Sequence, residues 1–370
     1  MFIILPVFAL WAQGRPGWDL AMAGIALGAY GLTQALLQIP FGTLSDRFGR
    51  KPLMYLGLAI LAAGSFVCAA AESPWLMIFG RVLQGAGAIS SVAIAAAADL
   101  TSEAQRTKAM AIIGSTIGAV FGVSFVAAPF LMGTIGVPGI FALTGVLAIA
   151  AMAVVRWGVP EAPALARGPR TVGLREVLRD PELRRLNVGI FVLHAVLMAM
   201  FVVIPGALVR VGVAAADQWQ VYLGAVAAGF VLMLPGVTGR AAAHERPVFL
   251  FAIATVGVSL VTALAGIASL AGIVAALVIF FGGFNVLEAK LPALVSRAAP
   301  REARGTATGL YSSVQFLGTF AGGAAGGVLA QHAGANAVLA ACAAAMLAWL
   351  VVAWNMGDFV PAAPGAARNG

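Results

Sequence analysis

Apolar runs about 20 residues long recur along the whole chain, separated by short polar breaks, and few folds accommodate that pattern. A helix of that length rises about 30 Å, the thickness of a bilayer's hydrocarbon core. Such cores lie at 20–43, 53–71, 75–97, 109–133, 137–155, 187–208, 219–238, 248–267, 270–294, 306–329 and 335–354. In lipid a backbone must satisfy its own hydrogen bonds, so these runs predict an all-α polytopic membrane protein. The chain is 61% apolar and 10% charged, against about 25% charged in a soluble domain. Met1–Ala12 is also apolar, but 12 residues rise only about 18 Å. It reads as the second half of a first span whose beginning is missing.

The net charge of +8 and pI near 10.3 would suit a nucleic-acid binder, but the basic residues sit between the apolar runs. Loops 44–52, 98–108, 156–186, 238–247 and 295–305 hold 17 of the 22 Lys and Arg, and the intervening loops hold 2. That asymmetry is the positive-inside pattern of a cell (inner) membrane protein. It places the chain's end in the cytoplasm, and its start too once the first span is complete. Cys68 and Cys342 lie inside apolar runs and read as small buried hydrophobes. With three histidines they show no metal-ligand spacing. No basic leader with a cleavage site precedes the first run.

Residues 156–186 form the only long polar connection, with Pro160, Pro163 and Pro169. Leu174–Leu186 reads as an amphipathic helix on the membrane surface. This divides the chain into a bundle at 1–157, a cytoplasmic linker at 158–186, a second bundle at 187–356 and a disordered tail at 357–370. The halves share traces of a repeat. A shift of 195 pairs Pro40 with Pro235 and Thr43 with Thr238; a shift of 200 pairs Gly118 with Gly318 and Gly122 with Gly322. Ala241 stands where the first half has Asp46.

Between the second and third runs, Asp46, Arg47, Arg50 and Lys51 pack both signs of charge into six residues beside Gly42 and Gly49. A basic turn that only fixes topology is one reading; a latch pinning one helix end to another is the second. The sequence Gly42-x-x-x-Asp46-Arg47-x-Gly49-Arg50-Lys51 resembles the signature loop of the major facilitator superfamily, whose fold is two pseudo-repeated six-helix bundles. The resemblance implies a loop on the cytoplasmic side. It further implies that Asp46 meets the N-terminus of span eleven near Arg304-Gly305-Thr306, where free N–H groups favour an anion, and that Arg50 pairs with Asp99. Those contacts would hold the halves together while the chamber opens outward.

Arg81-Val82-Leu83-Gln84-Gly85 resembles the family's span-four motif. A guanidinium inside a span costs about 2.5–3.5 kcal/mol and needs partners. Two readings stand: a part in proton coupling, or a brace between helices. Gly114, Gly118 and Gly122 form one small-residue face of span five, allowing close approach of a neighbour. The antiporter pattern after them is incomplete, with Ala128 and Met132 in place of glycines.

Glu288 is the acidic residue placed within a span, with Asn285 and Pro292 on its face of span ten. An embedded carboxylate is a functional candidate. His194 in span seven is the other candidate for the coupling proton, although a neutral buried His is commonly a core residue. Tyr30, Gln34 and Gln38 recur at spacing four, as do Tyr311 and Gln315. These stripes would line a chamber between the bundles, or else join helices through hydrogen bonds.

Tyr30-Gly31-Leu32-Thr33-Gln34, Arg106-Thr107-Lys108-Ala109-Met110, Trp219-Gln220-Val221-Tyr222 and Phe284-Asn285-Val286-Leu287-Glu288 resemble the superfamily's YajR-type, drug:proton antiporter-like branch. The resemblance runs from Met1 to about Trp354. Members of that type carry a small soluble domain after the last span; here a Pro/Ala/Gly tail ends at Gly370. The expectation is a monomeric secondary transporter using a proton gradient, without a cofactor, to export small molecules; proton-coupled or facilitated metabolite uptake is the alternative. A membrane enzyme would need clustered catalytic groups and a channel a filter motif or charged ring, and neither is visible.

Overall fold

The computed structural model describes residues 2–101, 103–160, 174–238, 244–300 and 303–357. Every regular element in them is helical. A 3₁₀ turn, Phe2–Ile4, leads into α1 (Leu5–Gln13), and together they are too short to cross a bilayer. There follow α2 (Leu20–Phe48), α3 (Arg50–Ala69), α4 (Pro74–Ala86), α5 (Ser90–Asp99) and α6 (Glu103–Gly158). After α7 (Leu174–Arg179) come α8 (Pro181–Arg210), α9 (Gln218–Val237), α10 (Glu245–Gly266), α11 (Leu270–Ala298) and α12 (Arg304–Trp354).

Among the described residues nine helices are long and apolar enough to cross a membrane, with α4 and α5 taken as one crossing. Two of the nine cross twice. The 56 residues of α6 would run about 84 Å if straight, far beyond a hydrocarbon core of about 30 Å. Gly136, at φ 68° and ψ 173°, breaks the helix. Phe141 beyond the break packs on Phe8, while Ala148 and Val155 return to Leu53, Met54 and Ala96 near the helix's start. Gly334, at φ 81°, does the same for α12. Gln331 before the bend accepts from the Leu20 N–H, and Trp354 at the end accepts from Arg246 beside the start of α10. Both positions need a positive φ that glycine tolerates. The eleven expected crossings are therefore present.

Three local expectations change. The run 75–97 is two helices, because Gly85-Ala86-Gly87 ends α4 and the chain restarts at Ser90. The charged loop 44–52 is nearly all helix: α2 runs to Phe48, α3 starts at Arg50, and Gly49 alone, at φ 95° and ψ 153°, makes the turn. Leu174–Leu186 is not one helix, since Asp180 caps α8 at Pro181 through bonds of 2.9 Å from the Glu182 and Leu183 N–H groups. Residues 161–173, Ala241 and 358–370 of the expected linker, repeat and tail lie outside the described residues.

Lipid tails are as apolar as leucine, so close packing rather than hydrophobic burial selects helix contacts. Large apolar side chains accordingly face outward, among them Phe251, Val123, Leu347 and Val351. Helices α2 to α6 pack among themselves, as do α8 to α12. Seams between α2 and α12, α6 and α9, and α1 and α8 join the two groups.

The α2–α12 seam is backbone against backbone. A Cβ on Gly24 would strike the Gly323 carbonyl and lie 2.7 Å from Gly327 Cα; one on Gly28 would lie 2.7 Å from the Phe320 carbonyl oxygen. At Gly31 it would lie 2.6 Å from the Phe316 carbonyl oxygen. Toward the Gly49 end the helices part. On the same face of α12 a Cβ at Gly309 or Gly305 would meet nothing within 4 Å, and one at Gly42 of α2 would meet only Ser91. The two groups thus touch at the Asp19 end and stand open at the Gly49 end.

Candidate functional site

At the open end, the turn at Gly49 aims Arg50 back across the first group. Its Nε donates to Asp99 Oδ2 at 2.8 Å, and its Nη1 reaches Ser45 Oγ and Asp46 Oδ1, each at 2.5 Å. Arg50 and Asp99 are 10% and 14% exposed while Asp46 is 62% exposed, so the enclosed pair is Arg50–Asp99 and Asp46 is its solvated flank. Gly42 packs beside Ser91. Arg47 lies over the Phe48 ring, and Lys51 is half-buried in the first turn of α3.

The structure does not bring Asp46 to the start of α12. Its carboxylate pairs with Arg50, and among the described residues no side chain caps α12 at Ala303. The physical reason is the parting of α2 from α12 beyond Gly31 and Phe316.

Deeper in, Arg81 is buried and braced rather than solvated. Its Nη1 donates to Gln84 Oε1 at 2.7 Å, its Nε to the Ala26 carbonyl at 3.2 Å and its Nη2 to the Leu27 carbonyl at 3.3 Å. Gln84 passes a 2.7 Å bond on to Ser65. The guanidinium also lies 4.9 Å from the Tyr30 ring centroid, within cation–π range. Gly85 is required here, since a Cβ would collide with Thr33 Oγ1 and the Tyr30 carbonyl. From Tyr30 a ladder climbs α2: Gln34 Nε2 donates to the Tyr30 hydroxyl at 3.0 Å, and Gln38 Nε2 to Gln34 Oε1 at 2.9 Å. Gln34 and Gln38 are buried, so hydrogen bonding, not open lining, is their role in this conformation.

In the second group three helices converge. His194 of α8 sits 2.8 Å through Nε2 from the Gln315 amide of α12. With Gln315 as donor, the histidine's own proton is on Nδ1. That nitrogen faces Glu288 Oε1 of α11 at 3.7 Å. Among the described residues neither His194 Nδ1 nor Glu288 Oε1 has a hydrogen bond of good geometry, the Ile190 carbonyl one turn back being the backbone group beside His194, and Asn285 Nδ2 on α11 is likewise unsatisfied. Such atoms cost free energy until a proton, water or ligand serves them. Tyr311 is buried one turn from Gln315 within electrostatic reach of Glu288. Phe284 ties this cluster to the first group by stacking on Phe121, with ring centroids 5.5 Å apart.

The family profile for the Major Facilitator Superfamily matches residues 1–287. The chain belongs to that superfamily. It is similar to the inner membrane transport protein YajR of Escherichia coli (strain K12), 39% identical over 363 residues, covering 97% of this chain and 80% of the relative. An uncharacterized transporter of Buchnera aphidicola subsp. Acyrthosiphon pisum is 33% identical over 87% of this chain and 84% of its own. In three dimensions the chain resembles the human organic anion transporter MFSD10 (TETRAN), with a TM-score of 0.70 over 95% of each chain and 18% identity, which shows the fold.

As a member of the superfamily the protein is a multi-pass inner-membrane transporter, secondary-active, with a small-molecule substrate. The described residues carry no catalytic cluster and no metal-holding group of His, Cys, Asp or Glu. Cys68 and Cys342 are free and buried.

Sequence reasoning misplaced the close helix contacts. A Cβ at Gly118 would meet nothing within 4 Å, and one at Gly122 only Phe230 and Val226 at 3.4 and 3.5 Å. The Gly114 environment lies outside the described residues. Tight contacts are made instead by other glycines, among them Gly24, Gly28 and Gly31 against α12, and Gly318 and Gly322 against the backbone of Phe191 and Ala195 in α8. The GxxxG spacing of Gly24 and Gly28 was the available signal.

Proposed function

We propose that this transporter couples proton entry to small-molecule export by alternating access. Residues 1–157 and 187–356, joined by 158–186, rock as two bundles about the chamber between Tyr30 and Glu288, and one chain suffices. The Lys and Arg asymmetry supports placing the Gly49 end and the chain's end in the cytoplasm. On that assignment the conformation is inward-facing, sealed outside by the α2–α12 glycines. In the outward-facing state the inner ends would close, Asp46 would meet the N-terminal, positive end of the α12 dipole, and Arg50–Asp99 would hold its turn rigid.

The observation that carries the reading is the Glu288–His194 pair, two unsatisfied titratable atoms 3.7 Å apart on facing helices at the chamber wall. An ionised carboxylate in a low-dielectric interior is costly, so closing the bundles about Glu288 is tied to neutralising it. A proton from one side and a substrate from the other can each do so, which is the exchange that antiport requires.

The test is proton flux in liposomes containing a pH-sensitive dye, screened against a compound panel. Glu288→Gln is expected to abolish flux driven by a pH gradient and to make the substrate binding that remains independent of pH. Proton-coupled transport that persists in the variant would remove Glu288 as carrier.

A further inference from the structure

We propose that α5 is a strut clamped at both ends, and that Gln38 is the positioning residue that ties the chamber to the Asp46–Arg50 turn. This rests on the latch reading above and supplies the latch with an input.

The strut is a separate body. Between α4 and α5 the chain leaves helical geometry at Gly87, whose absent Cβ would strike the Gly57 carbonyl. Ten residues from Ser90 to Asp99 then run as one rigid helix. Its far end carries Asp99, held by Arg50 at 2.8 Å. Its near end hangs on Gln38, which is fully buried. The Ser91 N–H, in the first turn and so without an intrahelical acceptor, donates to Gln38 Oε1 at 3.1 Å. The Ser91 hydroxyl donates to the Gln38 carbonyl at 2.9 Å.

These bonds fix the direction of the whole ladder. A backbone N–H can only donate, so Gln38 must present its oxygen to Ser91 and its amide nitrogen to Gln34. Gln34 must then present its nitrogen to Tyr30, at 3.0 Å. The Tyr30 hydroxyl is thereby an acceptor toward Gln34 and keeps its own proton for an acceptor in the chamber. Tyr30 stands where the two groups last touch, its ring centroid 6.2 Å from that of Phe316. A chamber occupant that takes the Tyr30 proton pulls on Gln34, Gln38 and the start of α5, and through α5 on Asp99 and Arg50. A buried glutamine serving only as a helix cap would need no link to Tyr30.

The experiment reads the cytoplasmic separation of the bundles by spin-label distances in nanodiscs, between Thr43→Cys and Ser296→Cys on the full chain. Gln38→Leu is expected to deplete the closed population about two- to tenfold, the weight of one or two hydrogen bonds. Asp99→Asn should do the same, and the double variant should go no further than the stronger single one. Ser259→Ala, which removes a buried hydroxyl bond to the Val256 carbonyl within α10, away from this path, should leave the populations at the parental ratio. Should Gln38→Leu fail to fold, Ser91→Ala removes one of the two clamp bonds and is expected to give about a twofold depletion. Additive effects of Gln38→Leu and Asp99→Asn would overturn the strut. A shift with Asp46→Asn but none with Gln38→Leu or Ser91→Ala would overturn it and leave the latch standing. No shift with Asp46→Asn would remove the latch, and the strut with it.

Discussion

The seal opposite the signature turn is made by absent side chains, and restoring one should reopen it. In Gly24→Ala the new methyl would collide with the Gly323 carbonyl and lie 2.7 Å from Gly327 Cα and 3.0 Å from its nitrogen. Carbon atoms prefer about 3.5–4.0 Å, so α2 and α12 must move apart by about 1 Å. Both obstacles are backbone, and no rotamer can absorb the clash. Overpacking of this kind costs about 1–3 kcal/mol. The cost falls only on the state in which the seam is closed. The gain in helix propensity, about 1 kcal/mol for Gly to Ala, applies to both states and cancels. The equilibrium should therefore move about 5- to 150-fold toward the state open at the Asp19 end.

Spin labels on Glu72→Cys and Ala214→Cys, exposed at that end of the two groups, would report the change as a longer-distance population. Gly224→Ala is the matched control, because a Cβ there meets nothing within 4 Å, and it should leave the distances unchanged. An unaltered separation in a Gly24→Ala protein that folds and melts like its parent would refute the claim that this contact is the seal.

Asp46→Asn should leave the melting temperature of the protein nearly unchanged, because an ion pair with a 62% exposed partner is worth about 0–1 kcal/mol. Turnover should nonetheless fall as the closed inner face is lost; wild-type flux with wild-type inner-face accessibility would count against the latch. Arg81→Leu should destabilise the protein by about 1–3 kcal/mol, since it strips Gln84 of a buried partner. Arg81→Lys, which keeps the charge but loses the fork, should recover only part of that loss in a thermal melt.

The membrane spans were legible because lipid imposes one demand that composition meets in full: long apolar stretches, satisfied internally. The turns at Gly136 and Gly334 were legible for the same reason, as gaps between runs. The break between Ala86 and Ser90 was not, because the run of apolar residues passes through it without pause. Its signal was the glycine pair Gly85 and Gly87, and each is forced by an approach across helices that no local pattern records. The sequence singled out Gly114, Gly118 and Gly122 and passed over Gly24, Gly28 and Gly31, whose spacing is also that of one helix face. Spacing shows that a helix face is smooth, not which neighbour it meets. His194, Glu288 and Gln315 were each singled out on separate helices, and only the fold could bring them to one wall.

Asp46 stands apart from the start of α12 here, and the contact expected of it belongs to the other conformation. A transporter's sequence must satisfy two conformations at once, and a residue working in one is idle in the other. The two ends of the α2–α12 seam also differ in kind. The Asp19 end is held by backbone contact between glycines, which salt and protonation hardly touch. The Gly49 end bears Asp46, Arg47, Arg50, Lys51 and Asp99, whose mutual forces are screened within about 8–10 Å at physiological ionic strength. A switch needs one end that is indifferent to its surroundings and one that responds. Glycines at the end that is closed in this conformation, with charges and a buried glutamine ladder toward the end that is open, give the chain that asymmetry, and on the strut reading the ladder connects the responsive end to what lies between the bundles.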